Sequence, residues 1–353
     1  MSNAAWRKKH KPEWTVYSFV VPYLNDNSLI LYEGGAFNIG YQNNRLEITE
    51  KAQTSGYSFP KIMYVPAERN FISSIDRPDL VKRLPLPLYT FLDECEDAKQ
   101  HISEGIKLPV GNVSFEYRKQ NKKSMLVGED FKIDLLEASS GFQSLVPLFL
   151  VTRHLSKIIK QNGNSSHKEI SVDEEKKIRK EVEKIMGNAN LSEDVRRVLL
   201  EKLSSRFKYA CFLNIVEEPE QNLYPISQKE VLYELFKYKN DLKSNNLVLT
   251  THSPYIINYL TLAIKAHVVK KKIQSIGDNN DLLSKLASIV PLESTVDSSE
   301  VNIYQLSEAG IIEKLQDYKG LLSDENYLNE FLAESNELFV KLMEIEDQWQ
   351  LIS

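Results

Sequence analysis

The period of apolar and polar positions changes twice along the chain. From Thr15 to Ile48 the apolar residues fall in short runs: Thr15-Val-Tyr-Ser-Phe-Val-Val21, Ser28-Leu-Ile-Leu-Tyr32 and Arg45-Leu-Glu-Ile48. Asn, Asp and Gly cluster between them, a pattern that predicts antiparallel hairpins. Lys61-Ile-Met-Tyr-Val65 predicts a further strand, stopped by Pro66. Residues 79–105 read as mixed to helical, with Pro85 and Pro87 breaking the first part. Asn112–Tyr117 and Phe131–Leu136 predict strands around a polar turn at Lys119–Ser124. At Phe142 the spacing becomes helical, with Leu145, Leu148, Phe149 and Thr152 on one face. Pro147 is read into about the first turn, where proline is tolerated.

Beyond this helix lies a polar linker, Gln161–His167, then a charged helical stretch from Val172 to Met186 and a further helix over Leu191–Phe207. Residues 160–206 are therefore expected to be a helical insertion whose mixed charges form a solvated face. From Ala210 onward strands (210–216, 246–251) alternate with helices (227–239, 254–264), which predicts parallel βα units. The tail from Glu308 reads as amphipathic helix. The expected fold class is α/β: an antiparallel β region over 1–60, then a core over 61–159 and 207–353 that is interrupted by the insertion.

Composition narrows the function only by exclusion. The 353 residues are 42% hydrophobic and 26% charged, as in ordinary water-exposed globular chains. A net charge of -5 supplies no global field to attract nucleic acid. The basic stretches Arg7–Lys11 and Lys270–Lys272 are short and lack interleaved aromatics, so nucleic acid is a weakly supported partner. No apolar stretch is long enough to span a bilayer, and the N-terminus lacks the apolar core of a signal peptide. Cys95 and Cys211 form no metal or disulfide framework, which suits a reducing compartment and predicts a cytoplasmic location.

Four segments carry candidate chemistry. The apolar run Tyr209–Ile215 leads into Val216-Glu-Glu-Pro-Glu-Gln-Asn-Leu-Tyr-Pro225. A strand that ends on two carboxylates can hold hydrated magnesium on one and orient a water with the other. Glu217 is the candidate metal ligand and Glu218 the candidate base. Leu247-Val-Leu-Thr-Thr-His-Ser-Pro254 places His252 at the end of a second strand, before a helix start, where an imidazole can donate to a phosphate oxygen. Glu137-Ala-Ser-Ser-Gly-Phe-Gln-Ser144 puts two hydroxyls and a glycine at a helix N-terminus, a small anion-binding surface. Tyr64-Val-Pro-Ala-Glu-Arg69 offers Arg69 to a phosphate or to a carboxylate at the strand end.

In this order the segments resemble the ABC-type ATPase heads of the OLD/RecF/SMC-like class, AAA-family ATPases of bacterial defence and repair. The resemblance covers roughly residues 60–265. It implies ATP and Mg2+ as ligands, Glu217 as the Walker B carboxylate, Glu218 as general base and His252 as the switch histidine. Ser139, Ser140, Gly141 and Gln143 fall in the signature segment, and Asn222 in the loop that crosses to a second subunit. The family works as dimers with ATP sandwiched between subunits, so a homodimer and a separate nuclease or effector partner are expected.

The chain departs from the pattern in one respect. No Gly-x-x-x-x-Gly-Lys-Ser/Thr string occurs, although a phosphate loop needs packed backbone N–H groups and one lysine. Gly34-Gly-Ala-Phe-Asn-Ile-Gly40 has glycines without Lys-Ser/Thr. The favoured expectation is an ATPase head lacking its first strand, phosphate loop and first helix, and inactive by itself. A non-catalytic dimerisation or scaffold module is the competing expectation. A membrane-transporter ATPase fits the soluble-branch style of these motifs less well.

Overall fold

The computed structural model describes residues 27–34, 37–43, 45–51, 60–75, 81, 84–163, 180–182, 184–188, 191, 195–196, 199, 209–277, 279–307, 309–315, 317–318, 321–322 and 326–350. The chain divides into two compact units, Met1–Ser58 with Lys168–Leu203, and Phe59–His167 with Ser204–Ser353. Both contain elements of a mixed α/β protein.

In the first unit β1 (Ile30–Glu33), β2 (Phe37–Gln42) and β3 (Arg45–Glu50) form an antiparallel sheet in chain order. The register runs Ile30↔Tyr41 and Ile39↔Ile48. The glycine segment that was expected to connect strands thus supplies β2. Ile39 and Tyr41 alternate with Asn38 and Gly40, and period two outweighs the glycines. The expected strand at Thr15–Val21 lies outside the described residues, as does most of the expected insertion; its described pieces at 180–182 and 184–186 are helical.

The second unit is built on a parallel sheet of β4 (Pro60–Val65), β9 (Cys211–Glu217) and β10 (Asn246–Thr250), with β9 in the centre. Between β4 and β9 the chain forms α1 (Leu86–Gln100), an antiparallel meander of β5 (Ile106–Lys107), β6 (Ser114–Arg118), β7 (Lys123–Val127) and β8 (Lys132–Asp134), and α2 (Ser140–Gly163). After β9 come α3 (Pro225–Asn240), β10, α4 (Pro254–Ile276) and α5 (Asn280–Ala287). Both α3 and α4 begin with proline, whose missing N–H is harmless there. Two small hairpins follow, β11 (Tyr304–Leu306) with β12 (Ile312–Lys314), and β13 (Asp317–Tyr318) with β14 (Leu321–Leu322), and then α6 (Tyr327–Gln350).

Several expectations are corrected. The polar turn after β6 is tighter than expected, closing at Lys122 with φ 55, so that Lys123–Val127 forms β7. Pro147 lies inside α2, beyond its first turn, and deprives Gln143 of one helical hydrogen bond. Helix α4 runs on to Ile276 and stops at Gly277, whose φ of 109 only glycine adopts readily. The described residues 309–315 of the tail are not helical. Gly310 at φ 76 closes the turn of β11–β12, and the helix begins only at Tyr327.

The two faces of the parallel sheet differ. Met63, Val65, Phe212 and Val216 are buried in one apolar core with Phe91 and Cys95 of α1 and Leu145, Leu148 and Leu155 of α2. The core includes Asn214, whose amide N–H donates to Thr152 Oγ1 (3.1 Å) while its Oδ1 is buried without a partner among the described residues, so its burial is compensated only in part. A second cluster joins Leu232 and Phe236 of α3 to Ile256, Ala263 and Ile264 of α4. The opposite face carries Ile62, Tyr64, Leu213, Ile215 and Val248 at the alternate positions. There Ile62 is 61% exposed and Val248 45% exposed. Parallel sheets are ordinarily covered on both faces. Among the described residues, none packs Ile62 or Val248 away from solvent.

Candidate functional site at the carboxyl ends of the parallel strands

In open α/β sheets, ligands bind beyond the carboxyl ends of the strands. Here β4 ends at Val65, β9 at Glu217 and β10 at Thr250, abreast in register (Val65↔Val216, Thr250↔Glu217). Glu217 is in step with Leu213 and Ile215, so its side chain leaves on the exposed face of the sheet. Its Oε2 accepts from Ala67 N–H at 3.1 Å. The Tyr64 hydroxyl also bonds to Glu217; burial first, and this carboxylate second, push the phenol well above its usual range.

Glu218 departs from strand geometry, with φ 42, while its N–H still donates to Thr250 O at 2.9 Å. A non-glycine residue in this left-handed region is uncommon and persists where its surroundings over-determine it. The turn continues through Gln221 N–H to Glu218 O (3.0 Å) and Leu223 N–H to Glu220 O (2.9 Å), with Asn222 at φ 59. It redirects the Glu218 carboxylate towards the end of β10. There Oε1 lies 4.0 Å from His252 Nε2, and the imidazole is 86% exposed. Adjacent carboxylates thus face different ways, although the left-handed turn contributes as much as strand alternation.

The clamp that fixes this turn is Arg69, on the short helical stretch after β4. Its guanidinium donates to four backbone carbonyls: Pro66 O (3.2 Å), Ser144 O (3.2 Å), Glu217 O (2.7 Å) and Glu218 O (2.6 Å). It is 1% exposed. Burial lowers its pKa to about 10 against the pull of Glu220, Glu218 and Glu217, so it stays a cation at neutral pH. Arg69 therefore ties three chain segments together, and its donors are occupied by the backbone rather than presented to a phosphate.

The signature segment is partly gathered in. Gly141 packs against the loop after β9; a Cβ there would sit 2.8 Å from Asn222 O. Ser144 donates its hydroxyl to Gln221 Oε1 at 2.7 Å. Ser139 and Ser140 are exposed at the start of α2. Gln143 turns the other way, its amide donating to Leu136 O at 2.9 Å. Glu218 and His252 thus face each other, Glu217 turns instead to Ala67 and Tyr64, Gly141 and Asn222 meet, and Arg69 ties the backbone of Glu217 and Glu218 to that of Ser144.

Two contributors escaped the sequence reading. Tyr64 carries no sequence signal beyond its place in the Tyr64–Arg69 segment. Glu220 Oε1 accepts both Thr251 Oγ1–H and His252 N–H at 2.8 Å, which pins the segment carrying the histidine to the carboxylate turn. Its position after Glu217-Glu218-Pro219 was the only available signal. No helix among the described residues is long and apolar enough to cross a membrane. No family model matches the chain, and no match is found among curated proteins.

Proposed function

We propose that the chain is an ATP-binding and ATP-hydrolysing subunit, an ATPase head of a bacterial defence or DNA-repair type of system, working as a dimer with ATP between subunits. The observation that carries the reading is the approach of Glu218, in a left-handed conformation, to His252 at the carboxyl ends of parallel strands, with Glu217 ending the same central strand. Glu217, on the strand end, holds the Mg2+ of Mg·ATP. Glu218 orients the attacking water and takes its proton, and His252 donates to the γ-phosphate. Ser139, Ser140 and Gly141 face the nucleotide of the opposing subunit, with Asn222 in the loop between the two sites. Arg69 acts on the chemistry only by positioning the carboxylate turn.

Among the described residues no phosphate cradle adjoins these carboxylates. A non-hydrolysing dimerisation module that keeps the fold is the second reading, favoured by the absence of any Gly-x-x-x-x-Gly-Lys-Ser/Thr string. Dimerisation has a candidate surface in either case. Helix α6 places Leu338, Leu342, Ile345 and Trp349 on one stripe, each more than half exposed.

Mn2+ replaces Mg2+ at oxygen-rich sites, so Mn·ATP at high protein concentration, followed by electron paramagnetic resonance, tests the reading. The wild-type chain and Glu218→Gln are expected to bind Mn·ATP, and Glu217→Ala to lose it. Equal signals from wild type and Glu217→Ala, or none above free Mn·ATP, would overturn the metal assignment.

A further inference from the structure

We propose that Asp97, His101 and His154 form a binding site for one zinc-class divalent cation, distinct from the carboxylates at the end of β9. Asp97 and His101 are four residues apart at the C-terminal end of α1, which puts them on one face of its last turn. His154 comes from the middle of α2 and is 7% exposed. Its Nε2 lies 2.9 Å from Asp97 Oδ2, and His101 Nδ1 lies 3.6 Å from Asp97 Oδ1. The two imidazole centroids are 4.9 Å apart with the rings inclined at 37°. One donor atom from each residue falls within 4.8 Å of the others.

Two imidazoles and one carboxylate suit Zn2+ rather than Mg2+ or Ca2+, which favour all-oxygen sets. Tetrahedral zinc bonds of ~2.0–2.1 Å place ligand atoms roughly 3.4 Å apart, so side-chain adjustments of about an ångström close the site. Asp97 and His101 are exposed, which leaves a side open to a water or an incoming ligand. Without an ion the same atoms make a carboxylate bridge between two histidines. His101 Nδ1 also lies 2.9 Å from Asp97 O, a contact that the ion would replace. The nearby cation Lys61 is held by Glu94 at 2.7 Å, which offsets its repulsion. A bound ion would fasten α1 to α2, the two helices that cover the buried face of the parallel sheet.

The test is calorimetric titration of the chelator-treated chain with Zn2+, together with thermal unfolding. One Zn2+ per chain, binding in the micromolar range or tighter and raising Tm by mass action, is expected. His101→Ala, an exposed substitution, and Asp97→Asn should each weaken binding at least about tenfold. Glu217→Ala should bind Zn2+ as wild type does, which separates this site from the proposed ATP site. Affinity unchanged in His101→Ala and Asp97→Asn, or binding lost only in Glu217→Ala, would overturn the proposal. So would no saturable binding by folded wild type.

Discussion

Replacing Arg69 with lysine keeps the charge and removes the geometry. The guanidinium reaches carbonyls in three segments, Pro66, Ser144 and Glu217–Glu218, through donors in a fixed planar fork. An ammonium is a single point on a flexible stem and cannot span from Ser144 O to Glu218 O. Each hydrogen bond from a charged donor contributes about 1.5–3 kcal/mol. A simple sum over four overshoots, because burying the guanidinium carries a desolvation penalty, visible in its lowered pKa, and because a lysine keeps one or two of the bonds. A net loss of about 2–4 kcal/mol is expected for Arg69→Lys, a large fraction of a typical domain's stability of about 5–15 kcal/mol. Urea unfolding with an unchanged m-value is the assay. The same variant should bind Mn·ATP more weakly, since Glu217 and Glu218 hang from the carbonyls that Arg69 holds. A loss below about 1 kcal/mol would refute the reasoning, because the four contacts would then be incidental.

Gly141→Ala tests the close approach to Asn222 O: strain of about 1–3 kcal/mol should outweigh the ~1 kcal/mol that alanine gains in a helix, so Tm falls. An unchanged or raised Tm would mean that the loop yields. Asp297 is held well below the usual carboxylate range, chiefly by the Lys271 ammonium at 2.7 Å and next by Ser299. Its folded pKa is depressed, so its contribution is present above the unfolded value of about 3.9 and lost as pH falls below it. Asp297→Asn should remove about 1 kcal/mol or less at pH 7, discounted for exposure, and nothing below that range; a loss that persists unchanged at low pH would count against this account. Leu342→Lys on α6 should reduce self-association seen by light scattering without lowering Tm, whereas an unaltered mass would take α6 out of the dimer reading. Glu218→Gln in a hydrolysis-competent assembly should abolish turnover and keep nucleotide; unchanged turnover would favour the scaffold reading.

The sequence by itself determined the elements whose signal is local. The apolar run into Glu217 reads as a buried strand because β9 is central and apolar residues occupy both its faces. Pro254 marks the start of α4, since proline fits the first helical turn, whereas α3 begins at Pro225, two residues before the start expected at 227. Placing the two carboxylates and His252 at strand ends was legible for the same reason. The tail was misread because an amphipathic stripe from Glu308 on also accommodates a glycine turn and short hairpins, and only pairing partners decide between them. Tertiary structure alone decided what each polar group touches. Arg69 meets Glu217 and Glu218 across almost 150 residues of chain, and Gly141 meets Asn222 only because α2 packs beside the loop after β9. Asp97 and His154 sit on separate helices that share one core. Periodicity fixes which face of an element is apolar, but the side-chain partners of a site are set by how those faces stack, and that information lies in contacts between segments far apart in the chain.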